Sequence, residues 1–324
     1  MREDLLSEIR AQVVSQLIEK SPWIGEDEFQ RESSMLQNWT NGFGPFTDLV
    51  TNEIFTDFFY NGSAGAWINR HGTIESFPLD VTEGALIHYI RSQALLVGKH
   101  FDQAHPAVDL ELGKGIRLHA ILPPLVEGGV HISLRVNQQR ATIERDENVE
   151  RIFHLIINER KNFLISGGTG SGKTTLLSHL IENFPERERL LVIEDTREIH
   201  TQHPHALRLQ AREENSEGLG EIPVRELIRQ ALRMKPDRIF LGEIRGGDVL
   251  DLFLALNTGH AGSGATIHAN SPKDIPNRIA ALAMMSGVTR DSALALYSSA
   301  IDIIIHLDGK QGNNRIAQIV EIEK

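Results

Sequence analysis

The chain has 324 residues, 40% of them hydrophobic, a formal net charge of −11 and no cysteine. That length suggests two domains, and the hydrophobic share is ordinary for soluble globular proteins. The acidic balance argues against a surface built mainly to grip a nucleic-acid backbone, leaving at most a local basic channel, and the lack of cysteine excludes disulfides and suits a reducing cytoplasm.

No apolar run approaches the length of a membrane span; Ile301 to Leu307 is short and interrupted by Asp302 and His306. The N-terminus alternates charged with apolar residues and reads as no signal peptide. A cytoplasmic protein is expected, with membrane contact peripheral or through a partner. Leu5, Ile9, Val13 and Leu17 recur every four residues, which predicts an amphipathic helix. Both charge signs decorate its polar face, so packing is favoured over membrane anchoring. Residues 1–40 are expected to form a helical extension.

An α+β domain is expected over 41–138. Ala66 to Phe77 reads as a hairpin turning at His71-Gly72. Thr82 is placed to cap a helix carrying Leu86, Ile90 and Val97 on one face. Three period-two strands follow, with Val108/Leu110/Leu112, Ile116/Leu118/Ala120 and Val130/Ile132/Leu134/Val136 on the inner face. The outer face then carries Asp109, Glu111, Arg117, His119, His131 and Arg135. Such a face is most often simply solvated; two arginines among acids and histidines also suit a polar interface. The polar stretch Asn137 to Arg140 marks a boundary, with a linker over 139–147 and a second domain over 148–324.

In that second domain, Gly167-Gly168-Thr169-Gly170-Ser171-Gly172-Lys173-Thr174 fits the phosphate-binding loop G-x-x-x-x-G-K-[ST]. The apolar run Phe163 to Ile165 before it predicts a buried strand, and Thr175 to Ile181 after it predicts a helix. Glycines let backbone N–H groups converge on a polyphosphate, and the helix N-terminus adds partial positive charge. Lys173 is placed to reach the terminal phosphates and Thr174 to ligate Mg²⁺, so ATP and Mg²⁺ are expected.

Strands and helices then alternate, which predicts a parallel sheet covered on both faces. The strands are Leu190 to Ile193, Arg238 to Leu241 and Ala265 to Ile267; the helices are Pro223 to Met234 and Asp248 to Leu256. Ser271-Pro272 opens a helical region with breaks expected at Pro276 and Gly287, and Ile301 to Leu307 pairs with Ile316 to Ile322 as a closing hairpin. Ligands of such sheets sit beyond the carboxyl ends of the strands. Glu194-Asp195 and Glu243 fall there, placed to hold a metal or orient water. His200, His203 and His205 have a metal-like spacing, but Pro204 favours a surface loop. His268 ends a strand at the same edge as the acids; its residue type alone leaves phosphate sensing and a structural role equally open.

The chain resembles the type II and type IV secretion and pilus-assembly ATPases, and within them first the Tad-type pilus ATPases (CpaF), with the conjugative type IV secretion ATPases next. The likeness rests on Ser166 to Thr175, Ile193 to Glu198, Ala231 to Arg238, Gly242 to Asp248, and Asn257 to His260 through Thr266 to Ser271. It implies a RecA-like ATPase domain after a smaller N-terminal domain. Glu194 would lie in the family's Asp box, Glu243 would be the Walker B acid sharing the metal with Thr174, and His268 would sense the γ-phosphate. Arg117 and Arg135 would reach the nucleotide. Gly167 through Thr175 would hold the phosphates. The resemblance further implies a homo-hexamer on the cytoplasmic face of the inner membrane, working against a platform protein and converting ATP hydrolysis into domain motion. Asp248 departs from the family's usual Glu.

Two other readings compete with this one. A nucleic-acid motor shares the core, but the net charge and 6% aromatic content disfavour it. A non-hydrolysing scaffold is disfavoured by the presence of Glu194 and Glu243.

Overall fold

The computed structural model is described over residues 43–70, 72–113, 115–136, 146–308 and 316–322. The chain divides into two compact units, 1–137 and 138–324. The expected helical extension, residues 139–145 of the expected linker and the hairpin-turn residue His71 lie outside the described residues.

In the first unit a helix α1 (Thr47–Asn52) precedes β1 (Asp57–Asn61), β2 (Ala66–Arg70), β3 (Thr73–Phe77), a helix α2 (Glu83–Leu96), β4 (Ala107–Gly113), β5 (Ile116–Ile121) and β6 (His131–Val136). The strands form one antiparallel sheet in the order β3-β2-β1-β6-β5-β4. β2 and β3 are the expected hairpin. Alternation decides which face is buried: Val108, Leu110, Ile116, Leu118, Ala120, Ile132 and Leu134 join one core with Leu86 and Ile90 of α2. The Thr82 hydroxyl accepts from the Ala85 amide at 3.3 Å and caps α2, a contact typically worth about 1 kcal/mol. Val97 departs from expectation. It follows the last helical residue and is 58% exposed, beside the exposed Leu95 and Leu96. β1 was not foreseen, because Phe58-Phe59-Tyr60 shows no alternation; only Phe58 is buried, against the α2 side.

In the second unit α3 (Glu147–Phe153) runs through a π-turn (His154–Asn158) into β7 (Phe163–Gly167). There follow α4 (Lys173–Glu182), β8 (Leu190–Glu194), β9 (Ala206–Gln210), α5 (Val224–Leu232), β10 (Arg238–Leu241), α6 (Asp248–Leu256), β11 (Gly264–His268), α7 (Ile275–Met285), α8 (Arg290–Ala300), β12 (Ile303–Leu307) and β13 (Ile316–Glu321). The sheet order is β13-β12-β7-β11-β10-β8-β9. Every pairing is parallel except β12 with β13, the expected hairpin. Leu164, Leu191, Ile193, Ile239 and Leu241 turn to one face and pack with α5, α6, α7 and α8. Phe163, Ile165, Leu190, Val192 and Phe240 turn to the other and pack with α3 and α4. Both faces are covered, so these strands read as unbroken apolar runs.

Three local expectations are corrected. Pro223 is the N-cap of α5, one residue before the helix. Pro276 lies in the first turn of α7, where a missing N–H costs no helical bond, so it breaks nothing. β9 is an additional edge strand that the sequence reading missed although Leu207 and Leu209 alternate with Arg208 and Gln210; all of its residues are half-buried. The loop before it is also less exposed than expected. His203 is buried, its Nε2 donating to the Pro185 carbonyl at 3.2 Å and its Nδ1 accepting from the His205 amide at 3.2 Å. No metal-binding cluster occurs among the described residues.

Candidate active site

The phosphate loop is built where β7 ends. Gly167 has φ +154°, and a Cβ there would stand 2.6 Å from the Leu307 carbonyl oxygen. Gly172 has φ +90° and precedes α4 with no side-chain cap, so the first amides of α4 are left to the loop. Gly168 and Gly170 have nothing within 4 Å of a notional Cβ, which leaves that side of the loop open. Ser171 is buried and donates to the Gly168 carbonyl at 2.9 Å. Thr169 is exposed, whereas Thr174 and Thr175 are half-buried in the first turn of α4.

Lys173 is the hub. Its ammonium donates to the carbonyls of Gly167 (3.1 Å) and Gly168 (2.6 Å) and lies 3.3 Å from His268 Nδ1. Burial holds its pKa below the usual lysine range, against the pull of Glu243 and Glu198. His268, at the end of β11, places Nε2 2.5 Å from Glu243 Oε1. A lysine donor at Nδ1 and a carboxylate acceptor at Nε2 dictate the neutral Nε2–H tautomer. Burial first, then the Lys173 charge, keep this imidazole below its ordinary range in spite of Glu243. Glu243 follows β10 and also receives Arg245 Nε at 2.6 Å; Arg245 Nη1 lies 3.7 Å from Asp195. The structure thus brings together Lys173, His268 and Glu243, as the sequence suggests, in a chain that continues to Arg245 and Asp195.

Glu194 stands differently. It is 2% exposed, and its Oε1 accepts the main-chain N–H groups of Glu198 and Ile199, both at 2.8 Å. Its Oε2 lies 3.5 Å from Arg208 Nη2. Burial pushes its pKa up despite those bonds. The geometry is that of a carboxylate holding the loop after β8 in shape. Besides Glu243, the carboxylate beside the phosphate loop is Glu198, 3.4 Å from the Thr174 hydroxyl. Sequence reasoning passed over Glu198 and Arg245, although both sit inside the motifs that carry the resemblance. The glycine before Glu243 has its own reason: a Cβ on Gly242 would stand 2.9 Å from Glu194 Cγ.

Thr174, Glu198 and Glu243 offer hydroxyl and carboxylate oxygens, the donor class that suits Mg²⁺. With the open loop and the Lys173 ammonium, this set fits a metal–triphosphate. Arg117 and Arg135 belong to the first unit, where they are direct cross-strand partners on β5 and β6. Asp57 of β1 lies opposite Arg135, and Glu111 of β4 opposite Arg117. A shallow hollow on that face is lined by both arginines with Asp57, Asp109 and His119.

Comparison with known proteins gives the family. The family described as type II/IV secretion system protein matches residues 40–313. A Mycobacterium tuberculosis (strain H37Rv) protein named for conjugal transfer is 36% identical over 93% of this chain and 90% of its own. VirB11 of Agrobacterium fabrum is 28% identical over 76% of this chain and 82% of its own. Among solved structures, the pilus retraction motor PilT with bound ADP aligns with a TM-score of 0.57 at 21% identity, over 81% of this chain and 77% of that one. The Legionella pneumophila ATPase DotB aligns with a TM-score of 0.53 at 22% identity, over 78% and 72%; both likenesses concern the fold. With the motif set, the sheet order and the match over most of its length, the chain belongs to the type II/IV secretion system protein family and is an ATPase with a RecA-like domain behind a smaller α+β domain.

Proposed function

We propose that ATP hydrolysis at the Lys173–His268–Glu243 site powers a type II or type IV secretion or pilus-assembly machine. The observation that carries this reading is the continuous polar chain from the phosphate loop through His268 to Glu243. In the reaction, Lys173 leaves the loop carbonyls for the β- and γ-phosphates. Neutral His268 keeps one ring nitrogen toward Lys173 and the other toward Glu243, so movement of the lysine is felt at the acid. Thr174, Glu198 and Glu243 hold Mg²⁺, which when bound neutralises charge on the phosphates. Glu243 accepts hydrogen bonds from Arg245 and His268 and orients the attacking water. Glu194 keeps the Glu198 loop in place. Arg117 and Arg135 act on the terminal phosphate, as the resemblance implies.

The chain works as a homo-hexameric ring, peripheral at the inner face of the cell membrane, through a membrane platform protein. No helix among the described residues is long and apolar enough to cross a membrane, which is consistent with association through partners. The finer reading as a Tad-type pilus motor rests on the motif likeness; a conjugal-transfer or type IV secretion machine is favoured by the names of the relatives. Steady-state ATPase assays test the central claim. Lys173→Ala and Glu243→Gln should each abolish turnover, and an active Lys173→Ala protein would exclude this site.

A further inference from the structure

Arg208 stands on β9, at the edge of the sheet, and has no part in the hydrolytic site described above. β9 pairs in parallel with β8, with Arg208 beside Val192 and Gln210 beside Glu194. Neighbours in register share a face, as do residues two apart on one strand. Arg208 and Glu194 therefore both turn to the side where Val192 packs with α3 and α4. There Arg208 Nη2 lies 3.5 Å from Glu194 Oε2, and Arg208 is the only cation within ion-pair distance of Glu194 among the described residues. Arg208 Nε and Nη2 and Glu194 Oε2 are buried, and none of the three has a hydrogen-bond partner among the described residues. The two side chains thus meet as charges, each compensating the burial of the other. Beyond Glu194 the path to the phosphate loop is short. Its other oxygen, Oε1, accepts the amides of Glu198 and of the fully buried Ile199, both at 2.8 Å. The Glu198 carboxylate then comes within 3.4 Å of the Thr174 hydroxyl. The main chain ties the end of β9 to the same point, since the Ala211 amide donates to the Glu194 carbonyl at 2.8 Å.

We infer that Arg208 is a positioning residue: it holds the Glu194 carboxylate against the amides of Glu198 and Ile199, and so places the Glu198 carboxylate beside Thr174. The physical reason is the burial of Glu194. An ionised acceptor binds amides more strongly than a neutral one, but a carboxylate charge is costly to bury unless an opposite charge faces it. Arg208 supplies that charge from the neighbouring strand. Without it the carboxylate turns away from the two amides, and the loop that carries Glu198 loosens. Arg208→Met keeps an unbranched stem and removes the charge, whereas Arg208→Lys keeps both. That Glu198 and Thr174 serve the metal is the reading above, on which the kinetic part of the test rests.

The test compares the wild type with Arg208→Met and Arg208→Lys, each as the full chain without nucleotide. Amide hydrogen exchange is followed by mass spectrometry in peptides covering 195–200, with peptides from β12 as reference. In Arg208→Met, exchange over 195–200 should quicken by about 10-fold, the size expected when a bond to a charged acceptor is lost, while β12 stays as in the wild type. Arg208→Lys should restore the wild-type rate. A general loss of stability would raise exchange in β12 as well, so the contrast separates positioning from fold. In ATPase assays the Mg²⁺ concentration for half-maximal turnover should rise about 10-fold in Arg208→Met, as for other residues that orient a metal ligand, and recover in Arg208→Lys. Should Arg208→Met fail to fold, Arg208→Gln removes the charge but keeps a polar head, and should show the same local rise in exchange. Unchanged exchange over 195–200 in whichever neutral variant folds, a rise shared equally by β12, or equal defects in Arg208→Met and Arg208→Lys overturn the inference. A local rise with an unchanged Mg²⁺ requirement upholds the role of Arg208 and removes Glu198 from the metal. A wild type that does not hydrolyse ATP would sink the hydrolytic reading alone, since the exchange comparison needs no turnover.

Discussion

His268 shows how much is decided by three neighbouring atoms. Its Nδ1 faces an ammonium and its Nε2 a carboxylate, so one neutral tautomer satisfies both contacts. Its pKa lies below the ordinary imidazole value of 6.5. A folded pKa lower than the unfolded one means that, on acidification through the imidazole range, the unfolded chain takes up a proton that the folded chain refuses. Stability from this group is therefore full at neutral pH and declines as pH falls below about 6.5. His306 is shifted in the same direction and adds to the effect. The melting temperature of His268→Gln should accordingly fall less steeply than that of the wild type between about pH 7 and 5.5. Thermal melts across that range check it, and parallel curves would show that the shift is misassigned. The residue types here were legible in the motifs, but that Glu198, rather than Glu194, lies beside the Thr174 hydroxyl was not. Which acid turns inward depends on how the loop after β8 folds back onto its own amides.

The elements of the second unit are locked at the opposite end of the sheet from the phosphate loop. Arg238 opens β10 and is fully buried. Its Nε donates to Glu188 at 2.5 Å, while Nη1 and Nη2 reach the carbonyls of Ile156, Gly262 and Ile157. Its guanidinium lies 4.3 Å above the Phe184 ring. One side chain thus pins the π-turn after α3, the loop before β11 and the segment before β8. Burial, helped by the nearby Arg160 charge, holds its pKa down, with Glu188 opposing. Removing it takes that donor from three carbonyls and leaves the largely buried Glu188 carboxylate with only the 3.3 Å bond from Arg160. Arg238→Ala should cost about 3–5 kcal/mol, a fall in melting temperature of roughly 6–20 °C for a unit of this size. Calorimetry or denaturant melts measure it, and a change within about 0.5 kcal/mol, the usual surface value, would refute the lock. Sequence reading took Arg238 only as the first residue of a strand. Period and propensity find the strand; they carry no signal for a charged side chain that caps backbone groups from three other segments. β9, by contrast, lay within reach of local pattern, since Leu207 and Leu209 alternate with Arg208 and Gln210 and pack on the core from the sheet edge.

For the whole molecule, the two units divide the labour that the resemblance implies. The second holds the phosphate loop and the acids; the first carries Arg117 and Arg135 as cross-strand neighbours on a sheet whose other face is its core. Two like charges placed opposite each other are unfavourable by themselves. Asp57 and Glu111, opposite them on the flanking strands, moderate this. An arginine that stabilises charge on a transferring phosphoryl group is worth about 10³–10⁵ in rate. Arg135→Ala should then lower kcat by about 10³-fold while KM for ATP changes little. Equal losses in kcat and in nucleotide affinity would count against that role, and a raised KM with kcat unchanged would assign Arg135 to ground-state binding instead.

By itself the sequence determined the chemistry on offer: a phosphate loop between an apolar strand and a helix, acids at strand ends, and two arginines on the outer face of an alternating sheet. Those features depend on residue type and on local periods of 2 and 3.6, which are written in the chain. Only the tertiary structure decided that Glu194 accepts the amides of its own loop, that Glu198 meets Thr174, that Arg238 is buried, and that His306 of β12 meets Ser166 of β7. These contacts join residues from different strands and loops, and their partners are chosen by sheet order and loop closure, for which local pattern has no term.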